Sequence, residues 1–472
     1  MPETAPTPTT NSRSEKEPMP ASQPILITGA APLGGEATDI LVQDGRITAV
    51  GTHLTTHGAE VIDAAGLVAL PGLVDLHTHL RQPGNAQAET VLSGSRAAAV
   101  GGYTCVHAMA NTEPASDTAG IVDEVYRLGL DAGYVEVRPI GAVSAGLKGE
   151  RLAEIGAMAG SHAQVRVFSD DGHCVASSLL MRRALEYVRA FGGVVADHPQ
   201  DDELTIDAQM NEAELASRLG LTGWPTVAEE DIVARDILIA NPGHSRIHIC
   251  HVSTAGSVDL IRWAKQRGMP VTAEVTPHHL LLPEDLVGGF DANFKVNPPL
   301  RSQEDIDAVR LAVADGTIDV VATDHAPHPA DHKDCEWHAA ACGMLGLQHA
   351  LRIVQLTLVD TGLIGWEDAA RIMSTAPARI GSVADQGQPI AVGSPANLTL
   401  YDPAAESTVT ADEIVSISDN SPYLGMSLPG SVRDVLFRGR PTVRDGVLQD
   451  LNGPAAPTLS SPTASASEGA HA

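Results

Sequence analysis

The stretch Asp75-Leu76-His77-Thr78-His79-Leu80-Arg81 places a polar side chain at every second position. On a β-strand alternate residues share a face, so Asp75, His77, His79 and, where the strand persists, Arg81 point one way. Stacking such groups on one face of an apolar strand is costly unless something satisfies them. A divalent metal does so, because two imidazoles two residues apart can both reach one ion. The plainer alternative is a polar edge strand with two solvated histidines. The run from Leu67 to Val74 is strongly apolar and implies burial, which favours the metal.

Four further apolar runs end in carboxylate or imidazole. Phe168-Ser169-Asp170-Asp171-Gly172 follows Val165 and Val167, and Gly172 permits a sharp turn that leaves the carboxylates at a strand end. Val194-Val195-Ala196-Asp197-His198 ends in a histidine. In Ile247-His248-Ile249-Cys250-His251-Val252-Ser253, His248 and His251 differ in parity, so only one can face inward. Val320-Val321-Ala322-Thr323-Asp324-His325-Ala326-Pro327-His328 closes on a carboxylate and two histidines. Each run alone is weak, since an ordinary turn or a core histidine accounts for it. Together they gather Asp and His at the ends of five expected strands. Four His and two Asp could hold two zinc ions with a shared carboxylate and open positions.

Apolar runs alternating with helical patterns must position these residues. Eight candidate strands centre near Val74, His107, Ile140, Val167, Val195, Ile249, Ala273 and Val321. Helical stretches such as Met181 to Phe191 and Val258 to Arg267 separate several of them. That alternation predicts an α/β chain with a (β/α)8 TIM-type barrel over residues 71–387, its chemistry at the C-terminal strand ends. Before it, Ile25-Leu26-Ile27, Asp39 to Val42 and the turn Asp44-Gly45 read as strands and a hairpin. After it, Asn397 to Tyr401, Val432 to Phe437 and the turn Asp445-Gly446 repeat the pattern. Residues 23–70 plus 388–450 are expected to meet as one small β-sandwich-like domain. Residues 1–22 and 451–472, rich in Pro, Ser and Thr, read as disordered tails.

A chain of 472 residues suits a barrel with an accessory domain. With 43% hydrophobic but only 3% aromatic residues, the core must be built from small aliphatic side chains. Lys and Arg number 30 against 59 Asp and Glu, a formal net charge of -29. That surface repels nucleic acid and anionic membranes, which are set aside as partners. An anionic metabolite would need local positive charge from metal or Arg. Cys105, Cys174, Cys250, Cys335 and Cys342 are odd in number and scattered. They read as small buried hydrophobes in a reducing cytoplasm, not a disulfide framework. Met1 to Ser22, with five prolines, does not read as a signal peptide.

These motifs resemble those of dihydroorotases, specifically the longer type I group of the amidohydrolase superfamily. The resemblance runs from about Ile25 to Leu448. It rests on His77-Thr78-His79-Leu80-Arg81-Gln82-Pro83-Gly84 and on Ala322-Thr323-Asp324-His325-Ala326-Pro327-His328. Met109-Ala110-Asn111-Thr112, Thr276-Pro277-His278-His279-Leu280 and Lys295-Val296-Asn297-Pro298-Pro299-Leu300-Arg301 are further similar blocks. It implies the reversible closure of N-carbamoyl-L-aspartate to L-dihydroorotate, a step of de novo pyrimidine synthesis. His77, His79 and Asp324 would bind one zinc, and His198 and His251 a second. Asp171 would bridge the two zinc ions, together with a hydroxide. Asp324 would also be the catalytic proton carrier. Arg81, Asn111 and His328 would hold the substrate carboxylate. His79, Leu80, Asn297, Cys342 and Gly343 would complete the substrate contacts. Self-association and a complex with aspartate transcarbamoylase are partners the resemblance allows.

The sequence departs from the family pattern at Gln82, Ala110, Pro199-Gln200 and Cys342, and no expected ligand is lost. Two rival readings stand beside the first: a related cyclic amidase such as a hydantoinase or allantoinase, and an inactive scaffold for aspartate transcarbamoylase. His107, His173, His248, His278, His279, His325 and His338 read as core, supporting or surface residues. Of these, His325 and His278 are expected to orient ligands.

Overall fold

The computed structural model describes residues 23–451, so both expected tails lie outside the described residues, Leu451 excepted. The described chain is a mixed α/β structure. It opens with β1 (Ile25–Pro32), β2 (Thr38–Gln43), β3 (Arg46–Gly51), β4 (Glu60–Asp63) and β5 (Val68–Pro71). The central part carries β6 (Leu73–Thr78), β7 (Tyr103–Ala108), β8 (Glu136–Pro139), β9 (Val167–Phe168) and β10 (Val194–Asp197). A small outlying pair, β11 (Met210–Asn211) and β12 (Gly223–Trp224), follows. Then come β13 (Ile247–Ile249), β14 (Val271–Val275) and β15 (Val320–Val321). The chain ends with β16 (Leu398–Thr408), β17 (Ser427–Phe437), β18 (Arg440–Arg444) and β19 (Val447–Leu448).

The central strands form two parallel sheets, β6-β7-β8 and β15-β14-β13-β10-β9. Isolated parallel bridges join Gly141 to Phe168 and Thr78 to His325, linking each end of one sheet to an end of the other. All eight expected centres fall on or beside a strand. Ile140 lies one residue past β8, and its N–H still bonds the Ala108 carbonyl. Continuous apolar character is what a parallel strand covered on both faces requires. β6, β7 and β10 are buried at every position. The two sheets share one core: Leu76, Ile140, Val167, Val194, Ala196, Val320 and Ala322 belong to a single buried cluster.

Helices lie between the strands, and several bury a single stripe. The helix Ser178–Arg189 buries Leu180, Met181, Ala184, Leu185 and Val188, the spacing of one helical face. The Ser177 hydroxyl accepts from Leu180 N–H and caps its first turn. The Leu, Met and Val side chains among these contribute about 1.5–3 kcal/mol each on full burial.

Strands from both ends of the chain share one nine-stranded sheet. Its seam is the antiparallel pairing of β5 with β16, from Pro71 opposite Leu398 to Val68 opposite Tyr401. Ile27, Ile40 and Ile47 from the first end pack with Leu398, Leu400 and Leu436 from the second. The chain between β16 and β17 leaves this sheet. Val409 and Tyr423 pack with Leu282, Val296, Leu300 and Met344, beside the loops that follow the central strands.

Two expectations need correction. Asp75 does not join a metal-binding face. Its carboxylate accepts from the Thr78 and Thr323 hydroxyls and from Thr323 N–H, so it ties β6 to the end of β15. The cysteines are all free, but only Cys105, Cys174 and Cys250 are buried, while Cys335 and Cys342 are exposed. No helix among the described residues is long and apolar enough to cross a membrane.

Candidate active site

β6 ends at Thr78, and His77 and His79 stand at its C-terminal end. Asp171, His198, His251 and Asp324 follow the ends of β9, β10, β13 and β15 within three residues. Three residues of this rim have left-handed backbone: Arg81 (φ 58°), His251 (φ 32°) and Asp324 (φ 44°). Such conformations cost energy in residues with a Cβ and persist where the surroundings hold them, commonly at functional sites. Arg81 therefore does not continue the alternation of β6, since its backbone turns the chain over the rim.

The side chains converge in two groups that share one carboxylate. His77 Nε2 lies 3.3 Å from Asp171 Oδ2 and 3.3 Å from Asp324 Oδ1. His79 Nε2 lies 3.4 Å from Asp171 Oδ2 and 3.0 Å from Asp324 Oδ1. On the other side, Asp171 Oδ1 stands 3.4 Å from His198 Nδ1 and 3.4 Å from His251 Nε2. Those two imidazole nitrogens are 2.8 Å apart. Asp171 thus turns one oxygen to each pair of histidines, the disposition of a carboxylate between two cations.

The outward nitrogens decide which inner atoms carry lone pairs. His77 Nδ1 donates to Glu274 Oε1 at 2.7 Å, His79 Nδ1 to Asn111 Oδ1 at 2.9 Å and His198 Nε2 to Gln200 Oε1 at 2.8 Å. Each bond fixes a tautomer whose free lone pair faces the cluster, as a metal-binding imidazole requires. His77 Nε2 and Asp171 Oδ1 are buried with no hydrogen-bond partner. Three tautomers set for coordination, two carboxylates between them and orphaned inner atoms fit a metal centre.

Electrostatics agree. Burial pushes the His77 imidazole down, but Asp171, Asp324 and Glu274 outweigh it and hold the ring well above its ordinary range, so a cation binding there would displace a proton from Nε2 to reach the lone pair. Burial pushes the Asp324 carboxyl up, and the His77 and His79 rings outweigh that, so Asp324 stays ionised. The cluster therefore concentrates negative charge where a cation would sit.

A cavity of about 250 Å³ opens onto the cluster. His79, Arg81, Asn111, Asp171, His198, His251, Asn297, Asp324, His328, Cys342 and Gly343 all line it. His77 lies beneath it, fully buried. Leu80 is not brought there: two residues past the end of β6, it turns into the core, 2% exposed, against Gly94. Burial pushes the Arg81 guanidinium down only to about 10, so it stays charged, and its Nε–H donates to Pro327 O. His328 is pushed down to about 3 by burial, with Arg81 and Lys333 beside it, and it donates Nε2–H to Cys342 O at 2.8 Å. It is therefore neutral, and Arg81 supplies the positive charge of this wall. Gly343 adopts φ 136° and packs so closely that an added Cβ would stand 2.8 Å from His328 Nε2.

The two open choices resolve by hydrogen bonding. Asp170 is spent on Val143 N–H, Ser144 N–H and the Ser144 hydroxyl, which leaves Asp171 in the cluster. His248 bonds Glu274 and Thr272, which leaves His251. Of the expected orienting histidines, His278 has both ring nitrogens unpartnered, and His325 pairs with Glu89 and the Gly346 N–H rather than with a ligand. Sequence reasoning missed Glu274 and Gln200 as supports. The signal for Glu274 was a lone carboxylate inside the apolar strand Val271-Thr272-Ala273-Glu274-Val275. For Gln200 it was only adjacency to His198. Ala326 also lines the cavity and gave no chemical signal.

A family model described as "Dihydro-orotase-like" matches residues 66–257. A dihydroorotase of Leifsonia xyli subsp. xyli is 61% identical over 434 residues, covering 92% of this chain and 99% of that protein. The dihydroorotase of Streptomyces coelicolor is 58% identical, with 90% and 99% covered. The chain belongs to the dihydroorotase family. The dihydroorotase of Mycobacterium tuberculosis is 52% identical, again over 90% of this chain and 99% of that one. Among solved structures, the L-hydantoinase (dihydropyrimidinase) of Arthrobacter aurescens superposes with a TM-score of 0.81 at 24% identity, covering 90% of this chain and 97% of that one. The dihydropyrimidinase of Brevibacillus agri NCHU1002 gives 0.77 at 23%, with 90% and 96% covered. At that identity these two likenesses speak for the fold.

Proposed function

We propose that this member of the dihydroorotase family closes N-carbamoyl-L-aspartate to L-dihydroorotate with loss of water, and reopens the ring, as the third step of de novo pyrimidine synthesis. The observation that carries this is one cavity with the His/Asp cluster on its floor and Arg81 on its wall. A cyclic amide bearing one carboxylate matches both halves of that cavity.

In this reading His77, His79 and Asp324 would hold one zinc ion and His198 and His251 a second, with Asp171 offering one oxygen to each group. Bound there, zinc would supply Lewis acidity toward the amide carbonyl and a water acidic enough to ionise near neutral pH. Asp324, ionised and at the cavity floor, accepts the proton of the attacking water and delivers it to the ring nitrogen as the amide opens. In the cyclising direction it takes a proton from the carbamoyl nitrogen and passes it to the departing carboxylate oxygen, which leaves as hydroxide. Arg81 pairs with the substrate carboxylate through two N–H groups, with Asn111 and His328 beside it. Asn297, whose Oδ1 is buried without a partner, and the Cys342-Gly343 backbone contact the ring.

We read the two parallel sheets as one closed (β/α)8 barrel. The bridges at Gly141–Phe168 and Thr78–His325 support that closure. Residues 23–70 plus 388–450 would form the accessory β-domain. A carboxylate, Asp171, as the shared ligand supports placement among the type I dihydroorotases of the amidohydrolase superfamily. Self-association and a complex with aspartate transcarbamoylase are tested together by elution on a sizing column, alone and with the transcarbamoylase added.

A hydantoinase or allantoinase would share the metals but not need Arg81, and a pure scaffold would not need six intact ligands. Parallel assays with L-dihydroorotate, hydantoin and allantoin separate these readings. Turnover confined to L-dihydroorotate supports the first, and a preference for either other ring would replace it.

A further inference from the structure

The segment between β16 and β17 has no part in the chemistry described above, yet it runs along the cavity rim. Ser418 Oγ donates to Ala88 O at 2.7 Å, beyond the β6 loop that carries Arg81. Two residues on, Asn420 is 2% exposed, and its whole amide is used. Its Oδ1 accepts from His328 N–H at 3.1 Å. Its Nδ2 donates to Ala326 O at 3.0 Å and to Gly343 O at 3.2 Å. Its own carbonyl accepts from Leu345 N–H at 3.2 Å.

We propose that Asn420 is the positioning residue of the carboxylate-binding wall, setting where His328 and Gly343 stand over the cavity. This rests on the reading that the cavity takes dihydroorotate. The contacts close a ring: Asn420 to His328, His328 Nε2–H to Cys342 O, and Gly343 O back to Asn420. There is no slack across it, because Gly343 already lies too close to His328 for a Cβ. A shift of one loop must therefore move the other. Only a side-chain amide of this length offers one acceptor and two donors in the required directions. Aspartate has the same shape but no donor, so one carboxylate oxygen would face two carbonyls. The metal-binding cluster makes no hydrogen bond to Asn420, so the expected effect is on substrate hold rather than on metal.

The test is steady-state kinetics of the zinc-loaded full chain and its Asn420→Asp variant with L-dihydroorotate, alongside metal content and thermal midpoint. We expect KM to rise about tenfold or more, with kcat changed much less and bound metal unchanged. If Asn420→Asp does not fold, Asn420→Ser, which keeps one donor and one acceptor, is measured the same way and should show a smaller rise in KM. A folded variant with wild-type KM, or one that loses metal and kcat together, overturns the inference while the functional reading stands. An inactive zinc-loaded wild type overturns the functional reading and this inference with it.

Discussion

Glu274 Oε1 lies 2.7 Å from His77 Nδ1, and its other carboxylate oxygen lies 3.0 Å from His248 Nε2. The carboxylate is 1% exposed, inside β14. It sets the tautomer and orientation of His77, the most deeply buried of the proposed ligands. Removing such a support typically weakens metal binding 10–100-fold. Glu274→Gln should therefore release metal to a chelator at concentrations about that much lower than the wild type requires, with the fold retained. Unchanged metal retention would show that Glu274 serves packing alone.

Asp324 lies within 3.3 Å of the His77 imidazole and 3.0 Å of the His79 imidazole and lines the cavity. Asp324→Asn keeps the shape and removes the proton acceptor. We expect turnover to fall by at least about 10²–10⁴-fold, the range of a general base, with the thermal midpoint little changed. Near-normal turnover would remove Asp324 from the mechanism.

His198 and His251 face the second oxygen of Asp171. Replacing His198 by Ala removes one of these two histidines and frees Gln200. Metal analysis should fall from about two ions per chain to about one. Two retained ions would contradict the assignment of His198.

Much of this was legible in the sequence because polar site residues contrast with apolar parallel strands. His77 and His79 stood out by parity, and Asp324 by ending the run Val320-Val321-Ala322. The βα alternation gave the strand positions within a residue or two. What was not legible depends on long-range partners. Asp75 shares the parity of His77, but Thr323, 248 residues away, satisfies it. Nothing local separates Asp170 from Asp171 until Ser144 is placed beside the former. Leu80 sits between two cavity residues in sequence, yet the chain past β6 turns it to the core. Asn420, far along the chain, gave no local signal at all.

His107 offers a pH test away from the cavity. Burial pushes its imidazole down to about 4, against a bond from Nδ1–H to Asp75 O that opposes the shift. The folded chain thus binds fewer protons here than the unfolded chain, whose His titrates near about 6.5. The contribution of neutral His107 is fully present above that value and is lost as pH falls through about 4. It is on the order of 3 kcal/mol. His107→Asn should therefore lose less stability between neutral and acid pH than the wild type, by denaturant unfolding at matched metal loading. Parallel pH curves would contradict the burial argument.

The most direct test of the account is the absorbance loss of L-dihydroorotate near neutral pH, with zinc-loaded and with chelated protein. The account predicts ring opening in the zinc-loaded sample, loss of it on chelation and its return when zinc is restored. No ring opening by fully zinc-loaded, folded protein would contradict it.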